Sequence, residues 1–154
     1  MIGHNFECNY VMKIFNRTLV FDFGSRRTVV CDEDGQVVFY EPTLILIWGN
    51  GKTYIGDKAR LIYDSYDYST FHPIEEGRIV NQDHFDAFAK GVCRKLVPFP
   101  RLRLRTAIIA VPGTMIDDKD TLKAFSKPFK ELGVKDIKFI PQSIGALYGA
   151  QKAQ

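Results

Sequence analysis

The sequence contains few cysteines and no paired-cysteine motif. Its three cysteines, Cys8, Cys31 and Cys93, are far apart, and none belongs to a CxxC or Cys/His cluster. An odd number of widely spaced thiols favours neither a disulfide framework nor a structural zinc site. Reduced thiols are typical of the cytoplasm, and a cytoplasmic location is therefore what we predict.

Long apolar runs and a strong charge excess are also missing. No run approaches the ~18 residues of a membrane-spanning helix, and the N-terminus lacks the basic-then-apolar pattern of a signal peptide. The formal net charge of +3 is too small to indicate a nucleic acid or an anionic membrane as partner. We therefore predict no nucleic-acid partner and no transmembrane segment, while peripheral membrane contact stays open.

The composition that remains is that of one globular domain. The chain has 154 residues, of which 45% are hydrophobic and 25% are charged, and this length can bury a sizeable core. In the first half, turn residues separate short runs rich in β-branched and aromatic side chains, which predicts strands joined as hairpins. These runs are TLVFDF, RTVVCD and QVVFYEP, and a further hairpin is predicted around Gly49, Asn50 and Gly51.

The second half alternates helical and strand patterns. Apolar residues after Asn81 recur at helical spacing, and residues 106–112 form an unbroken apolar run typical of a buried strand. A second helix is predicted over residues 117–132, and Pro128 is expected to kink or split it. The strand DIKFIP and a last helix, QSIGALYGAQKA, follow. Hairpins followed by alternating helices and strands predict an α/β fold with a mixed sheet.

One short stretch, LVFDFGSRRTVV at residues 19–30, places a carboxylate at the end of a predicted strand. Asp22 there can hold the water shell of Mg²⁺, and Gly24 lets backbone N–H groups approach a phosphate. Arg26 or Arg27 can add a phosphate contact, although only one of two consecutive strand residues points to a given face. The alternative is that Asp22 only initiates a hairpin turn.

Other candidate sites are weaker. Asp83, His84 and Asp86 could suggest a metal site, but the neighbouring apolar stripe places them on the solvated side of a helix. GNGKT at residues 49–53 lacks the earlier glycine of a P-loop and is interpreted as a hairpin turn. No Ser/His/Asp or Cys/His nucleophile arrangement can be read from the sequence.

Five stretches, in order, resemble the actin superfamily and most of all the bacterial MreB-like cell-shape proteins. They are LVFDFGS, EPTLILIWGNGKTYIGDKA, HPIEEGRIVNQDHFDAF, AIIAVPGTM and IPQSIGALYGA. The resemblance spans about residues 19–150. It implies the first domain of that family, a ribonuclease-H-like mixed sheet with flanking helices, over residues 19–154. Residues 42–77 would form a small inserted subdomain, and residues 1–18 an N-terminal extension.

The resemblance also assigns roles to residues. Asp22, Gly24 and Ser25 would form a phosphate loop with Asp22 holding Mg²⁺ through water, and Arg26 would add a cofactor contact. Gln142 would position the water that attacks the γ-phosphate of ATP, because a side-chain amide can both donate to and accept from water.

Members of the family have a second large domain, with a second phosphate loop and the adenosine pocket, and no second loop of this kind occurs here. The resemblance therefore implies ATP–Mg²⁺ binding only within an assembly, formed by self-association or with an actin-like partner, in filament assembly or cell shape. Hydrolysis by the isolated chain is not expected. Two alternatives stay open: a non-catalytic interaction or scaffold module that keeps the fold, and a fragment of a longer protein.

Overall fold

The structure is a computed structural model, and it describes residues 17–65, 69–97 and 104–144. Most of the predicted N-terminal extension lies outside these ranges. Of the predicted last helix, only residues 142–144 lie inside them, and these are helical.

The described elements alternate along the chain as the sequence predicts for an α/β protein. In chain order they are β1 (Arg17–Phe23), β2 (Arg27–Asp32), β3 (Val37–Pro42), β4 (Ile45–Ile47), β5 (Thr53–Ile55), α1 (Gly56–Ser65), β6 (Thr70–Phe71), β7 (Ile74–Glu75), β8 (Arg78–Ile79), α2 (Gln82–Leu96), β9 (Leu104–Val111), α3 (Lys119–Glu131) and β10 (Asp136–Pro141).

The main sheet has five strands in the order β10-β9-β1-β2-β3. Strands β1, β2 and β3 are antiparallel neighbours, whereas β9 and β10 run parallel to β1. Parallel neighbours need crossover connections, and helix α3 lies in the connection from β9 to β10. The predicted α/β class with a mixed sheet is confirmed.

Helices α2 and α3 cover one face of this sheet. Alternate residues of β1 point to that face and are fully or almost fully buried: Leu19, Phe21 and Phe23. The ring of Phe23 lies 5.1 Å from that of Phe85 on α2 and 6.2 Å from that of Phe129 on α3, measured between centroids. These aromatic contacts bind both helices to the central strand.

The other face of the sheet is less well covered. Val20, Val29 and Ile108 on that face are only half-buried, and in the part of the chain that the structure describes none of them packs into either hydrophobic core cluster. On the edge strand β3, Val37 and Tyr40 are 60% and 58% exposed. The two faces therefore differ in how far their apolar side chains are removed from water.

A second, smaller sheet lies in the region predicted as an inserted subdomain. Its order is β5-β4-β6, and the predicted hairpin around Gly49, Asn50 and Gly51 joins β4 to β5. Helix α1 follows β5 directly, and the sequence analysis had not predicted this helix. Its small core consists of Leu44, Leu46 and Ala59.

Pro128 was expected to kink or split its helix, and a split does not occur, because α3 runs without interruption from Lys119 to Glu131; a kink at Pro128 stays a prediction. A proline cannot donate to the carbonyl four residues earlier, here that of Ala124. The side chain of Gln82 on α2 supplies the missing donor, with Nε2 2.9 Å from the Ala124 oxygen. Within the described ranges, no helix is long and apolar enough to span a membrane.

Candidate functional site

The candidate site lies where three parallel strands end. Asp22 near the end of β1 pairs with Ala110 of β9, which in turn pairs with Ile140 of β10. The carboxyl ends of these strands therefore meet at one edge of the sheet, which is the usual ligand-binding edge of open α/β sheets. The turn that begins at Gly24 lies at this edge, as does the residue after β10, Gln142.

Asp22 and Gln142, 120 positions apart in the chain, are in direct contact. Gln142 Nε2 donates a hydrogen bond to Asp22 Oδ1 across 3.0 Å. Burial raises the pKa of Asp22 above its ordinary value, and the hydrogen bond from Gln142 opposes that shift. Among the described residues, no lysine, arginine or histidine forms an ion pair with Asp22. A half-buried carboxylate without a cationic partner is electrostatically suited to a bound cation.

The turn between β1 and β2 presents backbone donors beside this carboxylate. The Gly24 N–H closes the turn by donating to the Arg27 carbonyl at 3.0 Å. A Cβ at Gly24 would lie 2.7 Å from that carbonyl oxygen, so the tight turn requires glycine. Within the described ranges, the N–H groups of Ser25 and Arg26 donate to no protein acceptor. Two consecutive free N–H groups in a turn can bind an anion.

Arg26 and Arg27 have different surroundings. Arg27 begins β2, and its guanidinium lies 4.8 Å from the centroid of the Tyr40 ring on β3. It is thus engaged in a cation–π contact at the edge of the sheet. Arg26 is exposed within the turn, so of the two arginines it is the one that remains a candidate for a phosphate contact.

Thr43, which the sequence analysis did not single out, forms hydrogen bonds to two residues of this turn. Its hydroxyl donates to the Gly24 carbonyl at 2.6 Å, and its N–H donates to the Arg26 carbonyl at 3.0 Å. The Thr28 hydroxyl lies 2.8 Å from that of Thr43, and both side chains are fully buried. The sequence signal for this role was a threonine directly after Glu41 and Pro42.

The residues at this edge fit a hydrated Mg²⁺ better than a metal held only by protein. No group of three or more His, Cys, Asp or Glu side chains in the described part of the chain could enclose an ion. Protein-bound Mg²⁺ usually keeps several waters and uses one or two carboxylates together with substrate phosphates. Asp22 can be such a carboxylate, and the Ser25 and Arg26 N–H groups lie in the adjoining turn.

The prediction that Asp86 lies on the solvated side of its helix was wrong. Asp86 is 6% exposed, accepts a hydrogen bond from Gln82 Nε2 at 2.7 Å, and is ion-paired with Lys127 on α3. Its role is to join α2 to α3. Asp83 is exposed and His84 half-buried, and His84 packs against the Phe71 ring with 4.3 Å between centroids.

Comparison with known proteins was informative only at the level of structure. No family model and no curated protein matches the sequence. MreB5 of Spiroplasma citri bound to ADP matches with a TM-score of 0.67 at 15% identity, over 82% of this chain and 38% of that protein. A non-polymerising MamK mutant bound to AMPPNP matches with a TM-score of 0.67 at 17% identity, over 89% of this chain and 44% of that protein.

A third match is a MamK double helical filament, with a TM-score of 0.65 at 18% identity over 82% of this chain. The chain spans 38% to 44% of the length of these three proteins. The structural matches therefore show that this chain has the fold of the first domain of actin-like proteins such as MreB and MamK.

Proposed function

We propose that the chain is a half-length, MreB-like or MamK-like cytoskeletal protein that binds ATP–Mg²⁺ through the turn after β1 and acts in filament assembly. The observation that supports this most directly is the contact between Asp22 and Gln142. It places a half-buried carboxylate and a side-chain amide beside a turn with two free N–H groups.

Each group has a distinct role in this proposal. The N–H groups of Ser25 and Arg26 donate to phosphate oxygens, and the Arg26 side chain adds positive charge. Asp22 holds hydrated Mg²⁺, which neutralises phosphate charge when bound. Gln142 orients a water near the terminal phosphate, because its amide donates and accepts without titrating at neutral pH. Its hydrogen bond to Asp22 keeps that amide at the phosphate end of the site.

Assembly supplies the remainder of the nucleotide site in this proposal. Phosphate contacts from one loop give little affinity once the loss of ligand freedom is included. The second wall is provided by another copy, by an actin-like partner in the cytoplasm, or by a further part of a longer protein. For the chain on its own, the proposal is therefore nucleotide-dependent association without appreciable hydrolysis.

The test combines light scattering after size exclusion with calorimetry over a range of protein concentrations. We expect ATP–Mg²⁺ to shift the chain to dimers or larger species, with binding heat that grows with protein concentration. Asp22→Ala is expected to weaken binding by roughly tenfold or more, since it removes the carboxylate that would hold hydrated Mg²⁺. Gln142→Ala is expected to weaken binding less, since its role in this proposal is to orient water. Asp136→Ala is the matched control, because Asp136 lies on the same sheet at the opposite end of β10. Absence of heat at every concentration would contradict the proposal that a second copy of the chain completes the site.

A non-catalytic scaffold is the second candidate function. The observation in its favour is the less covered face of the main sheet, with Val37 and Tyr40 exposed on the edge strand β3. The main-chain N–H and C=O groups of an edge strand can pair with a strand of another chain. Apolar side chains exposed there can be buried in the same contact. If Asp22→Ala leaves self-association unchanged with and without ATP, this candidate is favoured over the first.

A further inference from the structure

The turn that carries the proposed phosphate donors is held by a short chain of buried hydroxyl groups. A hydroxyl has one proton, and that of Thr43 is directed to the Gly24 carbonyl, 2.6 Å away. The Thr28 hydroxyl, 2.8 Å from Thr43 Oγ1, must therefore be the donor in the second contact. The order of donation is Thr28 to Thr43 to Gly24, and hydrogen bonds in such a series polarise and strengthen one another.

The main-chain N–H and the main-chain carbonyl of Thr43 each make one further contact. Its N–H donates to the Arg26 carbonyl at 3.0 Å, so both the first and the third residue of the Gly24–Ser25–Arg26 turn are bonded to Thr43. Its carbonyl lies 3.2 Å from His72 Nδ1, just after strand β6 of the small sheet. Thr43 thus stands between the turn and the smaller sheet.

This arrangement bears on the phosphate donors themselves. Both carbonyls that flank Ser25 in the turn, those of Gly24 and Arg26, accept from Thr43, and the Gly24 N–H is bonded to Arg27. With these groups engaged, the N–H groups of Ser25 and Arg26 are the ones left over for a ligand. The Gly24 carbonyl shares a peptide plane with the Ser25 N–H, so fixing that carbonyl fixes the direction of the Ser25 N–H. The bond to the Arg26 carbonyl anchors the turn on the other side of the Arg26 N–H.

We propose that Thr43 is the positioning residue of the phosphate-binding turn: it holds the Ser25 N–H in the orientation that phosphate requires, and it anchors the turn at Gly24 and Arg26, on either side of the Arg26 N–H. This inference rests on the proposed function, because it concerns the same turn. The side chain of Thr43 is fully buried beneath the turn. Thr43 acts through Gly24 and Arg26, and it ties the turn to the start of the smaller sheet.

A graded set of variants tests the proposal. Thr43→Val keeps the shape of the side chain and removes its hydroxyl, Thr43→Ser keeps the hydroxyl, and Thr28→Val removes only the outer member of the series. We expect ATP–Mg²⁺ affinity in the assembling protein to fall about tenfold in Thr43→Val, to fall less in Thr28→Val, and to be close to wild type in Thr43→Ser.

A second readout does not depend on nucleotide. Backbone amide relaxation of Ser25 and Arg26, measured by NMR in the full chain without ligand, reports the order of the turn directly. We expect lower order parameters and shifted amide signals in Thr43→Val, with recovery in Thr43→Ser. Amides of α3, such as that of Phe125, should not change and therefore show that the variant is folded.

The two readouts separate failure of the inference from failure of the proposed function. If the wild type binds ATP–Mg²⁺ and a folded Thr43→Val binds it equally well, the positioning role is overturned and the function stands. If the wild type binds no nucleotide under any condition, the proposed function fails, and phosphate positioning fails with it. Unchanged order parameters and amide signals at Ser25 and Arg26 in Thr43→Val would overturn even the structural part of the inference.

Discussion

The main sheet and the smaller sheet beside it are stabilised to very different extents. Four of the five main strands have six or seven residues and the fifth has eight. One face of that sheet packs on six fully or almost fully buried phenylalanines: Phe21, Phe23, Phe85, Phe88, Phe125 and Phe129. The smaller sheet has strands of two or three residues and a separate core of three buried side chains, while its Ile45 and Ile55 pack into the main core cluster.

This difference assigns separate roles to the two regions. The main sheet provides the rigid frame that brings Asp22 and Gln142 together at the ends of β1 and β10. The smaller sheet depends on its junction with that frame. There Glu41 accepts from Lys95 Nζ at 2.7 Å and from the Asp57 N–H at the start of α1 at 3.2 Å. Glu41, Pro42 and Thr43 therefore connect the smaller sheet to the turn after β1.

The largest effect is expected for Phe23→Ala in the main sheet. Phe23 contacts aromatic rings on both α2 and α3, and removing a buried phenylalanine side chain destabilises a protein by about 3–5 kcal/mol. Urea unfolding followed by far-ultraviolet circular dichroism measures this change. Phe71→Ala is the control, because Phe71 lies in the smaller sheet and is 37% exposed. Equal losses from both variants would remove the distinction between the two regions.

The same contrast explains which parts of the fold could be predicted from the sequence. Strands β1, β2 and β9 and helices α2 and α3 have long apolar patterns and end at clear turn residues, so pattern alone predicts them. Helix α1 was missed because Gly56 opens it and because, among its described side chains, Ala59 is the one apolar side chain that is fully buried, so it lacks a strong apolar stripe. Pro128 does not split α3, although it leaves the Ala124 carbonyl without its usual helical donor. That carbonyl accepts a hydrogen bond from Gln82 on another helix, which the sequence pattern does not reveal.

Local pattern singled out Asp22 and Gly24 as a candidate site, whereas Gln142 entered only through resemblance. No local pattern places Gln142 next to Asp22, since 120 positions separate them and only the parallel pairing through β9 brings their strands together. The position of Asp86 was predicted wrongly, and the role of Thr43 was not predicted, for a related reason. Their partners, Lys127 and Gly24, lie on elements far away in the sequence, and periodicity carries no information about such contacts. The assigned roles of Asp22, Gly24, Ser25, Arg26 and Gln142 stay predictions.

An intermediate effect is expected for Leu46→Ala in the smaller sheet. Leu46 is fully buried, and leucine-to-alanine changes in cores remove about 2–5 kcal/mol; we expect the lower end because this core is small. The loss should be local, with faster amide exchange in β4, β5 and α1 and unchanged exchange in β1 and β9. Exchange that rises equally in both sheets would show that they unfold as one unit.

The smallest effect on stability, and the one with an unusual sign, is expected for Asp22→Asn. Burial raises the pKa of Asp22 in the folded state, so between the unfolded and folded pKa values the folded state holds more protons, and stability falls as pH rises through that window. Asparagine carries no charge to bury. The variant should therefore melt like the wild type at pH ~3, where Asp22 is largely protonated, and at a higher temperature at pH ~7.

Asp118→Asn is the control of opposite sign. The hydrogen bond from the Thr121 hydroxyl at 2.6 Å lowers the pKa of Asp118, so its carboxylate adds stability above the unfolded pKa, and that stability is lost as pH falls through the folded pKa. Asp118→Asn should not raise the melting temperature at pH ~7. If Asp22→Asn also fails to raise it, Asp22 is not a strained carboxylate. If it raises the melting temperature of the free chain and abolishes the further rise caused by ATP–Mg²⁺, the carboxylate is retained for binding at the expense of stability, as expected of a functional site in an otherwise well-packed sheet.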